Sequence, residues 1–211
     1  MNVKANIAFP RLAGVAGIAF AGAIVLANVV LVPAGLPATG AAPADVIAFF
    51  SGDGTALAVA SALMPTAWVA AVVFGAGVVV RERNGWAVAG FAGLVLQNAA
   101  FTGVAALRLA LPEAGPAVAP AFWALHDALF TLNGVFLALA LAGLTACTTV
   151  LPGWQTWLGY AAAALLFVSA TLTPWVVAGG PLTLLGLTGW LLWVVWLVAY
   201  GIALLRRAST A

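Results

Sequence analysis

Two ionisable residues, His126 and Asp127, stand side by side within a long apolar stretch of the sequence. An ionisable group in a membrane-spanning segment is energetically costly and marks a candidate functional site. Asn133 follows His126 by seven residues and Thr131 follows Asp127 by four, so each pair shares a face if the stretch is helical. Histidine exchanges protons near neutral pH, and a carboxylate can bind a cation or act as an acid–base partner. The pair therefore predicts a polar site that binds a ligand or transfers a proton.

A second polar set lies in the preceding apolar stretch, with Gln97 and Asn98 near its middle and Arg108 near its end. Gln97 and Arg108 are eleven residues apart and return to nearly the same helical face. If the two stretches are antiparallel neighbours, Arg108 could reach Asp127. The candidate ligand-binding residues are Gln97, Asn98, Arg108, His126, Asp127 and Asn133.

Two interpretations of this set remain open. In the first, Arg108 and Asp127 form a buried ion pair that fixes the helix register, while His126 donates to a carbonyl. In the second, the six residues line a polar pocket that opens to the outer face. Within the second interpretation, binding or transport is favoured over catalysis, and no catalytic residue is assigned.

The rest of the composition excludes several kinds of chemistry. The single cysteine, Cys147, cannot form an intrachain disulfide or a CxxC pair, and a single histidine cannot build a multi-histidine metal centre or a bis-histidine haem. The sequence contains no Walker loop and no GxSxG motif. No metal and no cofactor are therefore expected. The net charge of +2 and the lack of a Lys/Arg run also exclude nucleic acid as a partner.

The elements that must position these residues are membrane helices. Of the residues, 65% are hydrophobic and only 6% are charged, whereas a soluble domain carries roughly 25% charged residues. Since a span needs about 20 apolar residues, the sequence predicts an all-α bundle of six transmembrane helices in a single domain over 1–211. The predicted spans are 12–32, 55–80, 86–109, 121–148, 154–177 and 182–205, and the outer loop 33–54 is predicted to carry a short interfacial helix at 44–50.

The charges are distributed unequally between the two sides of this bundle. One side holds only Arg108, and the other holds Lys4, Arg11, Arg81, Arg83, Arg206 and Arg207. The positive-inside rule then places both termini in the cytoplasm. Heavy use of Ala, Gly, Val and Leu is typical of a GC-rich bacterial genome, so we expect a multi-pass protein of the bacterial cytoplasmic membrane, in contact with membrane lipids.

Two further patterns concern packing. Small residues are dense in the first three spans and predict closely packed helices; examples are Gly14, Gly17, Gly75, Gly77, Gly90 and Gly93. In the last span Trp190, Trp193 and Trp196 recur every three residues. Packing or lipid contact is favoured for these tryptophans over a ligand-stacking wall.

Some local features are shared with a known group of proteins. Arg11-Leu-Ala-Gly14 opens the first span, the segment Asp45–Phe50 leads into the second, and a basic turn at Arg81–Arg83 follows it. Pro152-Gly-Trp154 opens the fifth span. In these features the sequence resembles a family of uncharacterised six-helix bacterial inner-membrane proteins. The resemblance implies an architecture and a location, and it assigns no activity and no functional residue.

Three functions are compatible with these observations. The first is a membrane protein that binds or moves a small molecule or ion through a polar pocket between the third and fourth spans. The second is an integral-membrane enzyme acting on a lipid or isoprenoid, with His126 and Asp127 as its acid–base pair; an enzyme is the less favoured reading. The third is an accessory subunit of a larger membrane complex. A homo-oligomer is compatible with the first function, and a membrane partner subunit is expected for the third.

Overall fold

In a computed structural model the chain is described over residues 3–148 and 151–208, and these residues are helices and loops without a β-strand. In chain order the helices are α1 (Val3–Leu31), α2 (Pro43–Phe50), α3 (Thr55–Glu82), α4 (Gly85–Ala110), α5 (Ala119–Leu132), α6 (Gly134–Ala146), α7 (Gly153–Thr171), α8 (Thr173–Val176) and α9 (Thr183–Ala208). A 3₁₀ turn, Leu111–Glu113, follows α4.

Five segments are long and apolar enough to cross a membrane: Arg11–Leu31, Thr55–Glu82, Gly85–Glu113, Ala119–Ala146 and Thr183–Arg207. The protein is thus an all-helical chain with the composition of an integral membrane protein. The predicted span that is missing from these five is 154–177; it corresponds to α7, which has 19 residues but carries Gln155 and Thr156 in its first turn. These polar residues lower the mean hydropathy of a helix that is otherwise rich in alanine and leucine, and α7 is therefore not among the five segments.

Two of the predicted spans are not single helices. The span predicted at 121–148 is divided at Asn133 into α5 and α6, although Asn133 keeps helical backbone angles of φ −53° and ψ −25°. The span predicted at 154–177 is divided at Leu172, just before Pro174, into α7 and α8. A proline in the first turn of a helix has no N–H to donate to the preceding turn, so the helix restarts there.

The long helices form a closed ring in which sequence neighbours are also spatial neighbours. Contacts join α1 to α3, α3 to α4, α4 to α6, α6 to α7 and α7 to α9, and α9 returns to α1. The ring closes where Gly14 meets Gly201, since a Cβ on Gly14 would lie 2.8 Å from the Gly201 carbonyl oxygen. Small residues therefore bring the helix backbones together, as expected for membrane helices.

Aromatic rings fill the centre of the ring of helices. The Trp193 ring lies 5.4 Å from Phe20, and Tyr200 lies 5.5 Å from Phe74 and 5.1 Å from Trp196, all with edge-on geometry. Trp193 and Trp196 are buried in this core. The packing interpretation of these two tryptophans is confirmed.

The outer loop folds back over the bundle. It contains α2, which contacts α5, and the side chains of Val46 and Phe50 are buried there. Asp53 accepts hydrogen bonds from the backbone and hydroxyl of Thr55 at the start of α3, and these bonds lower the pKa of its carboxyl. The second half of the loop is thus held at two places, on α5 and at the start of α3.

Candidate functional site

The short connection between α4 and α5 brings two of the candidate residues into contact. The 3₁₀ turn at Leu111–Glu113 reverses the chain, so the end of α4 lies beside the start of α5. Arg108 Nε donates a hydrogen bond of 2.9 Å to His126 Nε2. The direct Arg108–Asp127 ion pair considered from the sequence is therefore replaced by an indirect arrangement in which the imidazole stands between the two charged groups.

This contact determines the protonation of His126. An Arg Nε–H can only donate, so His126 Nε2 must accept and carries no proton. Its Nδ1 then bears the proton and donates to Asp127 Oδ1 at 3.0 Å. The imidazole is neutral, in the Nδ1–H form, and lies between a guanidinium and a carboxylate. We refer to Arg108, His126 and Asp127 as the Arg–His–Asp network.

Asp127 connects the network to the outer loop. Its Oδ2 accepts a 2.8 Å hydrogen bond from the backbone N–H of Gly40, which lies 87 positions earlier in the chain. The Thr131 hydroxyl caps the Asp127 backbone carbonyl at 2.8 Å. Asp127 is 3% exposed and His126 2%, so the carboxylate is buried with two N–H donors, which is how a buried charge is kept stable.

Aromatic rings hold the imidazole from both faces. Trp123 stacks on His126 at 4.2 Å with an interplanar angle of 11°, and Phe130 lies parallel at 6.0 Å. These residues precede and follow His126 by about one helical turn, which is why they reach its faces. Phe50 of α2 then packs against Trp123 at 5.8 Å. The outer loop is thus attached to the site by an aromatic contact and by the Gly40 hydrogen bond.

Gly40 meets a second outer loop at its other side. It has φ +76°, and a Cβ there would lie 2.7 Å from the nitrogen and 2.8 Å from the Cα of Gly179, which itself has φ +85°. Only glycine fits such a close approach with positive φ. The sequence analysis missed Gly40 because a glycine in a loop carries no signal of a contact to a distant carboxylate.

The other candidate residues form a separate polar layer deeper in the bundle. Asn98 donates to the Trp68 carbonyl at 3.2 Å, and no contact links Gln97, Asn98 or Asn133 to the Arg–His–Asp network in the described part of the chain. Their oxygens Gln97 Oε1, Asn98 Oδ1 and Asn133 Oδ1 are buried without a hydrogen-bond partner there. Three buried acceptors without donors are costly unless a ligand or water supplies them.

Arg108 also lines a groove between α1, α3 and α4, together with Asn28 and Ser61. The sequence left it open whether Asn28 joins the polar set, and its side chain instead donates to the carbonyl of Ile24 in its own helix. Within residues 3–148 and 151–208, no three His, Cys, Asp or Glu side chains come together in a way that could hold a metal ion.

The fold and the site together define the class of the protein, an all-helical chain with apolar helices able to span a membrane and a buried polar site near one end of its bundle. No protein-family model, no curated protein and no solved structure matches this chain.

The protonation of His126 can be measured directly, because it is the only histidine in the protein. We expect the imidazole ¹⁵N spectrum at neutral pH to show one protonated nitrogen, Nδ1, and one acceptor, Nε2. In Arg108→Leu the donor to Nε2 is lost while Asp127 still accepts from Nδ1–H, so the Nε2 signal is expected to move towards that of a nitrogen without a hydrogen-bond donor, and Nδ1 should stay protonated. Arg83→Leu, in the exposed turn after α3, should leave the spectrum unchanged. A fully protonated imidazolium in the wild type would contradict the assignment.

Substitution of Gly40 tests the link between Asp127 and the outer loop. Gly40→Ala and Gly35→Ala both place a side chain at positive φ, but a Cβ on Gly35 has open space around it. We expect Gly40→Ala to be the more destabilising by about 1.5–3 kcal/mol, the usual worth of a hydrogen bond to a charged group. Hydrogen exchange of residues 36–42 should accelerate only in Gly40→Ala, and equal exchange in the two variants would show that the contact is unimportant.

Proposed function

We propose that the protein binds, or moves across the membrane, a small molecule or ion at the polar site built by α4 and α5. The observation that carries this proposal is the state of Arg108. Its Nε is held by His126, while its two Nη groups donate to none of the described residues and Arg108 borders a groove. A positioned guanidinium with available N–H groups at the edge of a cavity is a ligand-binding arrangement.

The layer of buried acceptors supports the same proposal. Gln97, Asn98 and Asn133 lie further from the α4–α5 turn than Arg108, and each retains an oxygen without a donor in the described structure. Together with the Arg–His–Asp network they place polar groups at two depths of an otherwise apolar bundle. A ligand or ion that crosses between these depths would satisfy them in turn.

The enzyme alternative receives less support from the geometry. A general base needs a free lone pair facing its substrate, but His126 Nε2 is occupied by Arg108 and Nδ1 by Asp127. Both imidazole nitrogens are therefore engaged inside the protein. His126 positions Arg108 in this arrangement, and Asp127 positions His126.

The full topology is part of the proposal. We propose that α7 and α8 form a sixth span, which places both termini and the basic turns on the cytoplasmic side of a bacterial inner membrane. The supporting argument is that six spans place six basic residues on one side of the membrane and only Arg108 on the other, as the positive-inside rule expects. Arg108, Asp127 and the outer loop then belong to the outer side, where a ligand would enter.

Cysteine labelling in intact cells tests this topology. In a Cys147→Ser background, Ser51→Cys and Ala178→Cys should react with a membrane-impermeant maleimide. Arg83→Cys and Pro152→Cys should react only after permeabilisation. All four positions are exposed in the structure. Reaction of Pro152→Cys and Ala178→Cys from the same side would reduce the count to five spans.

Native mass spectrometry from a mild detergent tests the binding function. We expect the wild-type protein to retain a small molecule or ion, and Asp127→Asn and Arg108→Gln to lose it while remaining folded. Asp45→Asn also replaces an aspartate by asparagine, but at an exposed site in the outer loop. This control variant should retain the ligand. Folded wild-type protein without any adduct would count against the proposal. The same spectra report whether a second copy or a membrane partner subunit is present.

A further inference from the structure

We propose that the groove beside Arg108 binds a single-chain carboxylate amphiphile, with its head at Arg108 and its alkyl chain running inward between α1, α3 and α4. This inference rests on the proposed binding function and specifies the ligand class. It depends on three observations, namely the shape of the groove, the distribution of polar groups along it and the charge state of the Arg–His–Asp network.

The groove is elongated along the axes of α1, α3 and α4. On α1 it extends from Ile24 to Leu31 and on α3 from Met64 to Leu57. On α4 it extends from Phe101 to Arg108. Each stretch covers seven residues, or about 10 Å at 1.5 Å per residue. An extended decanoate chain has a comparable length, and the cavity volume of about 30 Å³ leaves room only for a single narrow chain, not for a compact solute.

Polar and apolar groups are segregated along this length. Arg108 lies at the outer end of the groove, and Asn28 lies on the facing wall, on α1. Ser61 lies on α3, about one turn further into the groove than Leu57. The remaining lining is alanine, leucine, isoleucine, methionine and phenylalanine. A molecule with a polar head and an aliphatic tail matches this pattern in the same orientation as a lipid of the outer leaflet. Burying the tail also supplies the hydrophobic contribution to binding.

The charge state selects an anionic head. The group bonded directly to Arg108 is a neutral imidazole, since His126 carries its only ring proton on Nδ1. The Asp127 carboxylate stands beyond the ring and is occupied by two N–H donors. The guanidinium therefore has no anion in direct contact among the described residues, and an anion at its Nη groups would be bound by two parallel hydrogen bonds.

A carboxylate fits this single guanidinium better than a phosphate monoester does. No second cation lines the groove within the described part of the chain, and Asp127 already balances one positive charge. A carboxylate adds a single negative charge, whereas a phosphate monoester adds nearly two near neutral pH. In a region of low dielectric the smaller unbalanced charge is the less costly.

Titration with decanoate, followed by native mass spectrometry in a neutral detergent, tests the inference. We expect one decanoate per wild-type chain, and binding weaker by about ten- to hundredfold in Arg108→Gln, which loses a charge-assisted pair. Ala105→Phe should also weaken decanoate binding, because Ala105 lines the path of the chain. Arg83→Gln, at an exposed position away from the groove, should bind as the wild type does.

Comparison of ligands on the wild-type protein keeps the test independent of variant folding. Decan-1-ol should bind at least about tenfold more weakly than decanoate because it lacks the charge, and acetate at least about a hundredfold more weakly because it lacks the chain. If decan-1-ol binds as tightly as decanoate, the proposed role of Arg108 is wrong. If acetate binds as tightly, the alkyl chain does not contribute and the ligand is not an amphiphile. If decyl phosphate binds more tightly, the head group is not a carboxylate.

The result also separates this inference from the proposed function. An Asp127-dependent native adduct in a protein that does not bind decanoate would overturn the carboxylate amphiphile and leave the binding function standing. Absence of both the adduct and decanoate binding would overturn the two together.

Discussion

The Asp127 carboxylate holds together α4, α5 and the loop 33–54 that covers them. Its Oδ1 accepts from His126 and its Oδ2 from the backbone of Gly40, so one buried charge joins α5, α4 and the outer loop. A buried carboxylate is stable only while both oxygens have donors. Removal of the loop would therefore leave Asp127 Oδ2 without its donor.

The same arrangement explains how a single arginine is held near the end of an apolar helix. The Nε of Arg108 is held by an imidazole that is itself clamped between Trp123 and Phe130 and oriented by Asp127. With one end of the guanidinium fixed, the orientation of its plane is restricted, while its Nη groups donate to none of the described residues. Preorganisation of this kind reduces the entropy lost when a ligand binds.

The two halves of the bundle differ in how they are stabilised. The half that contains the α3–α4 turn, and the centre, depend on close packing, with glycines such as Gly90 and Gly143 bringing α4 and α6 into backbone contact and aromatic side chains filling the middle. The opposite half contains the charged network and two glycine-containing loops that meet at Gly40 and Gly179.

Composition and hydropathy were enough to predict an all-helical chain with membrane-spanning segments, because 20-residue apolar stretches have few alternatives in a bilayer. The sequence also singled out Arg108, His126 and Asp127 as candidate site residues, since ionisable groups are rare in such stretches. It could not show that His126 separates the two charges or that Gly40 supplies the second donor to Asp127. It also did not reveal that Gln97, Asn98 and Asn133 form a separate layer. Those relations depend on the relative rotation of α4 and α5 and on a contact between residues 87 positions apart, which side-chain packing decides and local sequence does not encode.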